Sequence, residues 1–290
     1  KMIVALAALE SGVASPEQTV FCNGKYELGN GTFHCWKRWG HGRMNMGDAI
    51  AESCDVFFYD LARRVGIDRI AEMAGRFGLG QDLGVDIPGE RPGLMPTKAW
   101  KLATQGIAWL LGETLVAAIG QGFVLTTPLQ LAVMTARMVN GGRAIVPRLT
   151  RREMEDMDLR EGGNTDLGMG IAEAHLQVIR RGMDEVVNGP SGTAWPVRAD
   201  DEALAFGGKT GTAQVRRISE RERQLGVRKN EDLPWHMRDH ALFVGYAPLA
   251  EPRYAIAVVV EHGGGGSKVA APIARDILLE VQRLDPARST

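Results

Sequence analysis

Helical patterns fill most of this chain and strand patterns are confined to its end, an order that restricts the fold more than any other feature. Residues 1–12, 46–65, 67–77, 128–139 and 171–187 carry apolar side chains at helical spacing. Residues 204–215, 241–247 and 253–261 read as three consecutive strands, with 254–260 apolar enough for a central one. Residues 269–284 read as an amphipathic closing helix. Runs of helices followed by runs of strands belong to the α+β class: an antiparallel sheet flanked by helices, beside an all-helical part. The stretch 20–42, rich in Gly, aromatic, Cys and His residues without a clear period, reads as a loop in need of a staple, and 78–96 as a second loop.

Composition narrows the function classes. With 44% hydrophobic and 24% charged residues over 290 positions, the chain can bury a sizeable core in one large domain or two modest ones. A formal net charge of −1 leaves no electrostatic footprint for a nucleic acid or an anionic membrane surface. The long uncharged stretch 114–136 is interrupted by Gly120, Gln121, Gly122 and Pro128, so it reads as core helix plus turn instead of a membrane span. The charge-dense segment 216–228 is mixed in sign and reads as a solvated excursion.

Three motifs carry chemistry. Residues 207–214 read Gly-Gly-Lys-Thr-Gly-Thr-Ala-Gln, a strand with an ammonium, two hydroxyls and a glycine that lets a peptide backbone lie alongside. Gly208-Lys209-Thr210 has the closing triplet of a phosphate loop, but the glycine required five positions earlier is Ala203. Lys1 opens the Ala/Leu-rich helix that stops near Gly12, and Ser53-Cys54-Asp55 precedes an apolar helix.

In this order, a Lys on a helix, Ser-x-Asp and Lys-Thr-Gly are similar to the set of active-site serine acyltransferases. Trp39-Gly40-His41-Gly42, Ala118-Ile119-Gly120-Gln121-Gly122, Thr127-Pro128-Leu129-Gln130, Ser191-Gly192-Thr193-Ala194 and Phe243-Val244-Gly245-Tyr246 follow in family order. The chain therefore resembles the transpeptidase domain of class B penicillin-binding proteins, most closely the cell-elongation type, from residue 1 to about 280. The resemblance implies that 1–290 is the C-terminal portion of one such domain. Within it, 1–200 is expected to be mostly helical with loops, and 201–290 to hold three strands and the final helix. It also implies a five-stranded sheet, two strands of which precede the nucleophile and fall outside this sequence.

The resemblance assigns roles residue by residue. Lys1 takes the proton of a serine expected three positions upstream, just outside the chain, so these 290 residues alone are not expected to acylate. Ser53 relays a proton between Lys1 and the leaving amine. Asp55 stands where many relatives carry Asn, a departure shared by elongation-type members. Lys209 supports the field across the cleft, Thr210 and Thr212 meet the substrate carboxylate, the Thr212 N–H serves the oxyanion, and Gly211 keeps the strand bare. The implied reaction is transfer of a peptidoglycan stem peptide from its D-Ala-D-Ala bond to a neighbouring amine, with no cofactor, and with β-lactams as inhibitors. The implied setting is the periplasmic face of the inner membrane, with an anchor helix upstream and a membrane glycosyltransferase as partner. A serine β-lactamase, a non-catalytic β-lactam sensor and a scaffold of the elongation machinery are the rival readings; no deacylating glutamate block is evident.

Cys22, Cys35 and Cys54 are odd in number, with His34 and His41 nearby. A Cys22–Cys35 disulfide would suit an oxidising compartment and leave Cys54 free. A structural zinc held by Cys22, Cys35, His41 and Cys54 is the other reading, because Cys3His is a standard closed set; three free thiols is the third. Some elongation-type relatives resemble the zinc arrangement, with carboxylates where Cys22 and Cys35 stand here. His175, His236, His240 and His262 lack a partner at telling spacing and read as surface or strand-edge residues.

Overall fold

The structure is a computed structural model and describes residues 1–149, 168–216 and 218–285. They divide into two compact units, one of residues 1–49 and 54–181 and the other of 50–53 and 182–285. The charge-dense segment 216–228 includes residue 217, which lies outside the described residues.

In the first unit, α1 (Met2–Glu10) is apolar all round, and Met2 through Leu9 are all buried. A helix without a polar face has to be enclosed; α1 packs on two helices introduced below, α3 and α4. The stretch expected as loop instead holds four short strands: β1 (Val20–Cys22), β2 (Lys25–Leu28), β3 (Gly31–His34) and β4 (Gly42–Met44). β1 pairs with β4, setting Cys22 opposite Gly42, and β2 pairs with β3. Strands this brief leave almost no period in the sequence.

The segment between β3 and β4 folds back onto the turn after β1 through two glycines. A Cβ on Gly40 would lie 2.1 Å from the Cys22 carbonyl oxygen, and one on Gly24 would lie 2.1 Å from that of Arg38. Both glycines have positive φ.

The helix expected over 46–65 is broken in two, α2 (Met46–Ala51) and α3 (Asp55–Val65). The break is Ser53, whose φ of 57° is left-handed and ends a right-handed helix. α4 (Ile67–Arg76) follows, then α5 (Lys98–Gln105), capped by the Thr97 hydroxyl. α6 (Leu111–Ala118) lies against α3, and α7 (Pro128–Val139) opens with the capping box of Thr127 and Gln130. Lys101, 1% exposed, is neutralised by Glu113, whose carboxylate also accepts the Leu110 N–H.

α8 (Glu173–Asn188) runs from the first unit into the second. There β5 (Gly207–Ala213) begins after a short turn at Glu202–Leu204, so the strand expected over 204–215 is trimmed at both ends. α9 (Glu220–Leu225) lies in the connection to β6 (His240–Ala247), which pairs antiparallel with β5 and with β7 (Tyr254–Val260). Among the described residues β6 is the central strand and β7 lies at the sheet's far side. The apolar run of β7 is accounted for by α10 (Ala270–Leu284), which covers both strands.

Candidate functional site

In the first unit, Lys1 and Asp55 meet. Lys1 Nζ donates to Asp55 Oδ1 at 2.6 Å and lies 5.8 Å from the centre of the Phe58 ring. Asp55 is the first residue of α3, where a carboxylate is favoured by the N-terminal end of the helix dipole. Its second oxygen accepts the Trp36 N–H at 2.8 Å. The carboxylate is buried, and both of its oxygens are engaged.

The same unit gathers Cys22, Cys35, His41 and Cys54, whose ligand atoms all lie within 4.8 Å of one another. The His41 ring turns Nδ1 toward the sulfurs, 3.6 Å from Cys22 Sγ and 3.5 Å from Cys35 Sγ. Nitrogen and sulfur bound to one tetrahedral zinc sit about 3.5 Å apart, so these spacings suit the ion. That orientation leaves His41 Nε2 buried and without a partner among the described residues. All three thiols are free, with no Cys22–Cys35 bond.

Of the three sulfurs only Cys35 is held toward thiolate; Cys22 and Cys54 release their protons when a cation binds. Cys35 is pushed down to about 3, first by a hydrogen bond from the Cys54 thiol, with His41 and the N–H groups of Lys37 and Asp55 adding and burial opposing. Cys54 is pushed up by that same hydrogen bond and by burial. Burial raises Cys22, opposed by the N–H groups of Gly24 and His41. Backbone amides aimed at sulfur favour thiolate, the form that binds metal.

In the second unit, Ser53 occupies its left-handed turn, and the neighbouring Ala51 carbonyl accepts the Thr193 N–H at 3.2 Å. Thr193 also exchanges a hydroxyl hydrogen bond of 2.8 Å with Thr210. Lys209 is buried, and its Nζ donates to the Thr210 carbonyl at 3.1 Å. β6 pairs with one edge of β5 along its length, Gly211 and Thr212 included; the other edge has no strand partner among the described residues. An open edge of this kind can take an extended peptide as an added strand. Thr193, in the Ser-Gly-Thr-Ala block, was not assigned a role from sequence; its hydroxyl contact spans 17 positions and no spacing rule reveals it.

His175 departs from the expectation of a residue without a partner: its Nδ1 lies 2.6 Å from Glu10, 165 positions away. Sequence spacing does not reach contacts that only tertiary folding creates. His240 opens the central strand β6, its ring 4.6 Å from that of His262 at a tilt of 57°, and its Nδ1 accepts the His262 N–H at 2.9 Å.

With this geometry in place, the comparisons define the class. The penicillin-binding protein transpeptidase domain family matches residues 1–279, and the chain belongs to that family. The peptidoglycan D,D-transpeptidase MrdA of Haemophilus influenzae is 36% identical over 289 residues, covering 96% of this chain and 42% of the relative. That of Escherichia coli K12 is 35% identical over 288 residues, covering 96% and 44%. The chain thus spans less than half the length of these relatives. Among solved structures, Pseudomonas aeruginosa PBP2 in complex with WCK 5153 superposes with a TM-score of 0.83 at 39% identity, over 98% of this chain and 59% of that one. The Helicobacter pylori complex of PBP2 with MreC gives 0.82 at 31%, over 98% and 48%. The α+β fold with an antiparallel sheet is that of this family.

Proposed function

We propose that this chain is the transpeptidase portion of a peptidoglycan D,D-transpeptidase of cell-wall elongation, acting through a serine acyl-enzyme. The observation that carries the reading is the open edge of β5, where Lys209-Thr210-Gly211-Thr212 pairs on one side only and the Thr210 hydroxyl is held by Thr193. A D-Ala-D-Ala terminus laid along that edge would place its carboxylate on the hydroxyls of Thr210 and Thr212, with Lys209 supplying positive charge.

The attacking serine belongs three positions before Lys1. Its hydroxyl oxygen adds to the carbonyl carbon between the two D-alanines as its proton passes to the Lys1 amine. The Thr212 N–H receives the developing oxyanion. The C–N bond then breaks, and the proton reaches the departing D-Ala nitrogen by way of Ser53. An amine of a second strand attacks the resulting ester, forms the cross-link and returns the serine hydroxyl. A β-lactam enters the same first step and remains as the ester.

The finer assignments extend the same reading. Cys22, Cys35, His41 and Cys54 hold a structural zinc that ties β1, the segment after β3 and the start of α3 together, and no step of the reaction passes through it. Catalysis needs no cofactor. The whole of 1–290 acts as one transpeptidase domain. Its partners are stem peptides, a membrane glycosyltransferase and a protein like the MreC of the Helicobacter pylori complex, and its place is the periplasmic face of the inner membrane. No helix among the described residues is long and apolar enough to cross a membrane.

Fluorescent penicillin tests the proposal on a chain extended so that a serine stands three residues before Lys1. Stoichiometric, slowly released label together with cross-linking of a D-Ala-D-Ala peptide to an amine acceptor is the expected outcome. Rapid penicillin turnover would make it a β-lactamase, label without cross-linking a sensor, and no label a scaffold.

A further inference from the structure

Between the ligand candidates Cys35 and His41 runs Trp36-Lys37-Arg38-Trp39, a short segment with two large aromatic rings in solvent. Trp36 is 60% exposed and Trp39 is 85% exposed. An exposed indole keeps apolar surface in water, and two within four residues of one held segment offer a surface on which a ligand can dock. The hold comes from several directions. Cys35 N–H donates to the Gly24 carbonyl at 2.9 Å, the turn closes with Gly40 N–H on the Lys37 carbonyl at 2.9 Å, and Gly24 and Gly40 allow backbone to touch backbone. The Trp36 ring packs edge-on against His41 at 5.4 Å, and the Arg38 guanidinium lies 5.0 Å from the Trp39 ring centre.

The segment is also wired to the proposed chemistry. The Trp36 N–H is bound by the Asp55 carboxylate, whose other oxygen takes Lys1 Nζ. The backbone that carries the Trp36 ring is thus fixed to the carboxylate that holds the proposed base, within one unit.

We propose that Trp36 and Trp39 form a platform for the amino-sugar rings of the glycan strand from which a stem peptide hangs, a reading that rests on the peptidoglycan substrate proposed above. A pyranose ring presents a flat face of C–H groups with partial positive charge, which complements the negative face of an indole. N-acetylhexosamines are neutral and water-loving at their rims, so a half-wet, rigid aromatic surface suits them better than a closed apolar pocket. The extended peptide has its own place on β5, where backbone pairing and hydroxyls serve it. Indoles already fixed in place lose little freedom on binding.

The test uses the full 290-residue chain with zinc, labelled at the indole nitrogens and titrated in solution. Three probes are compared: an N-acetylglucosamine tetramer, an uncross-linked disaccharide-pentapeptide, and the free pentapeptide. Both sugar-bearing probes are expected to shift the Trp36 and Trp39 signals, and the free pentapeptide is not. Trp39→Ala is expected to weaken the tetramer about tenfold and Trp39→Phe, which keeps an aromatic face, less than about threefold. Because the Trp39 ring is exposed, both variants are expected to melt as the unchanged chain does, which separates lost binding from lost folding.

Equal shifts from the free pentapeptide would make the segment a peptide site and overturn the proposal. So would no shift from any probe, or shifts that follow protein concentration alone, the sign of self-association. Penicillin labelling of the serine-bearing chain is read separately: labelling without sugar-dependent shifts rejects the platform and keeps the transpeptidase.

Discussion

Asp55 holds Lys1 by a 2.6 Å ion pair while its other oxygen accepts the backbone N–H of Trp36, so one buried carboxylate joins the proposed base to the aromatic segment. Asp55→Asn keeps one oxygen for an N–H but removes the charge; Asp55→Ala removes both acceptors. We expect losses of about 1 kcal/mol for the first and about 2–3 kcal/mol for the second, read by chemical denaturation. In the serine-bearing chain, Asp55→Asn also breaks the ion pair that orients Lys1, so the penicillin acylation rate is expected to fall about tenfold. An unchanged rate would show that Asp55 serves the fold alone.

The Cys22, Cys35, His41 and Cys54 cluster predicts one zinc per chain by elemental analysis. Stripping it with a chelator is expected to lower the melting temperature by roughly 10 °C, and added zinc to restore it. Cys22→Ser is expected to lower zinc content as well. A Cys22–Cys35 cross-link found under non-reducing conditions, with zinc well below stoichiometry, would replace the metal reading.

Much of this was legible in the sequence, and the limits have physical causes. The three strands and the Pro128 helix could be read because burial imposes a period and Thr127 and Pro128 mark a start. The four short strands of 20–44 could not, since each is three or four residues long and paired by contacts that glycines permit. The helix break at Ser53 was invisible for another reason: a left-handed serine is set by its surroundings, and its residue type gives no warning. For the proposed site, ordered motifs pointed to Lys1, Ser53, Asp55 and Lys209, and the cysteine count with a nearby histidine pointed to the Cys and His cluster. Thr193, which steadies Thr210, and Trp36, which meets Asp55 through its backbone, needed coordinates because neither contact follows from side-chain type or spacing.

Gly40 provides a sharper test of how the aromatic segment is pinned. Its φ is +81° and a Cβ would fall 2.1 Å from the Cys22 carbonyl oxygen and 2.7 Å from the Asn23 backbone. The obstacle is backbone and cannot swing aside as a side chain would. Gly40→Ala is expected to cost about 2–4 kcal/mol and to weaken zinc retention together with stability. Gly12→Ala is the control, since it has a similar φ of +64° with nothing within 4 Å, and it is expected to leave zinc in place. Equal zinc loss in both variants would mean that strain in general, and not this close approach, governs the centre.

Thr193→Val removes the hydroxyl that meets Thr210 at 2.8 Å and keeps the side-chain volume. If Thr193 positions Thr210 for the substrate carboxylate, KM for a D-Ala-D-Ala peptide rises about three- to tenfold, the worth of one hydrogen bond. Thr193→Ser, which retains the hydroxyl, is expected to recover most of that loss. A fall in stability without a change in KM would confine Thr193 to the fold.

The connection between β5 and β6 carries a pH test. The Arg216 guanidinium holds the Glu222 carboxyl down at about 2 by hydrogen bonding, against a burial effect that raises it, with the Arg228 N–H adding. The ordinary value is 4.5, so the folded form keeps the charge where the unfolded chain would begin to lose it. A carboxylate lowered on folding stabilises above its unfolded value, and that stabilisation fades as pH falls toward the folded one. The melting-temperature advantage of the unchanged chain over Glu222→Gln is therefore expected to be full above pH 4.5 and to shrink toward pH 2. Because Arg216 and Glu222 reach each other within one short connection, the advantage should also weaken in high salt. An advantage that stays constant across this range would mean that the pair exerts no charge-dependent hold on the fold, and that the connection keeps its shape through α9 and the Asp239 contacts to Val215 and Asn230.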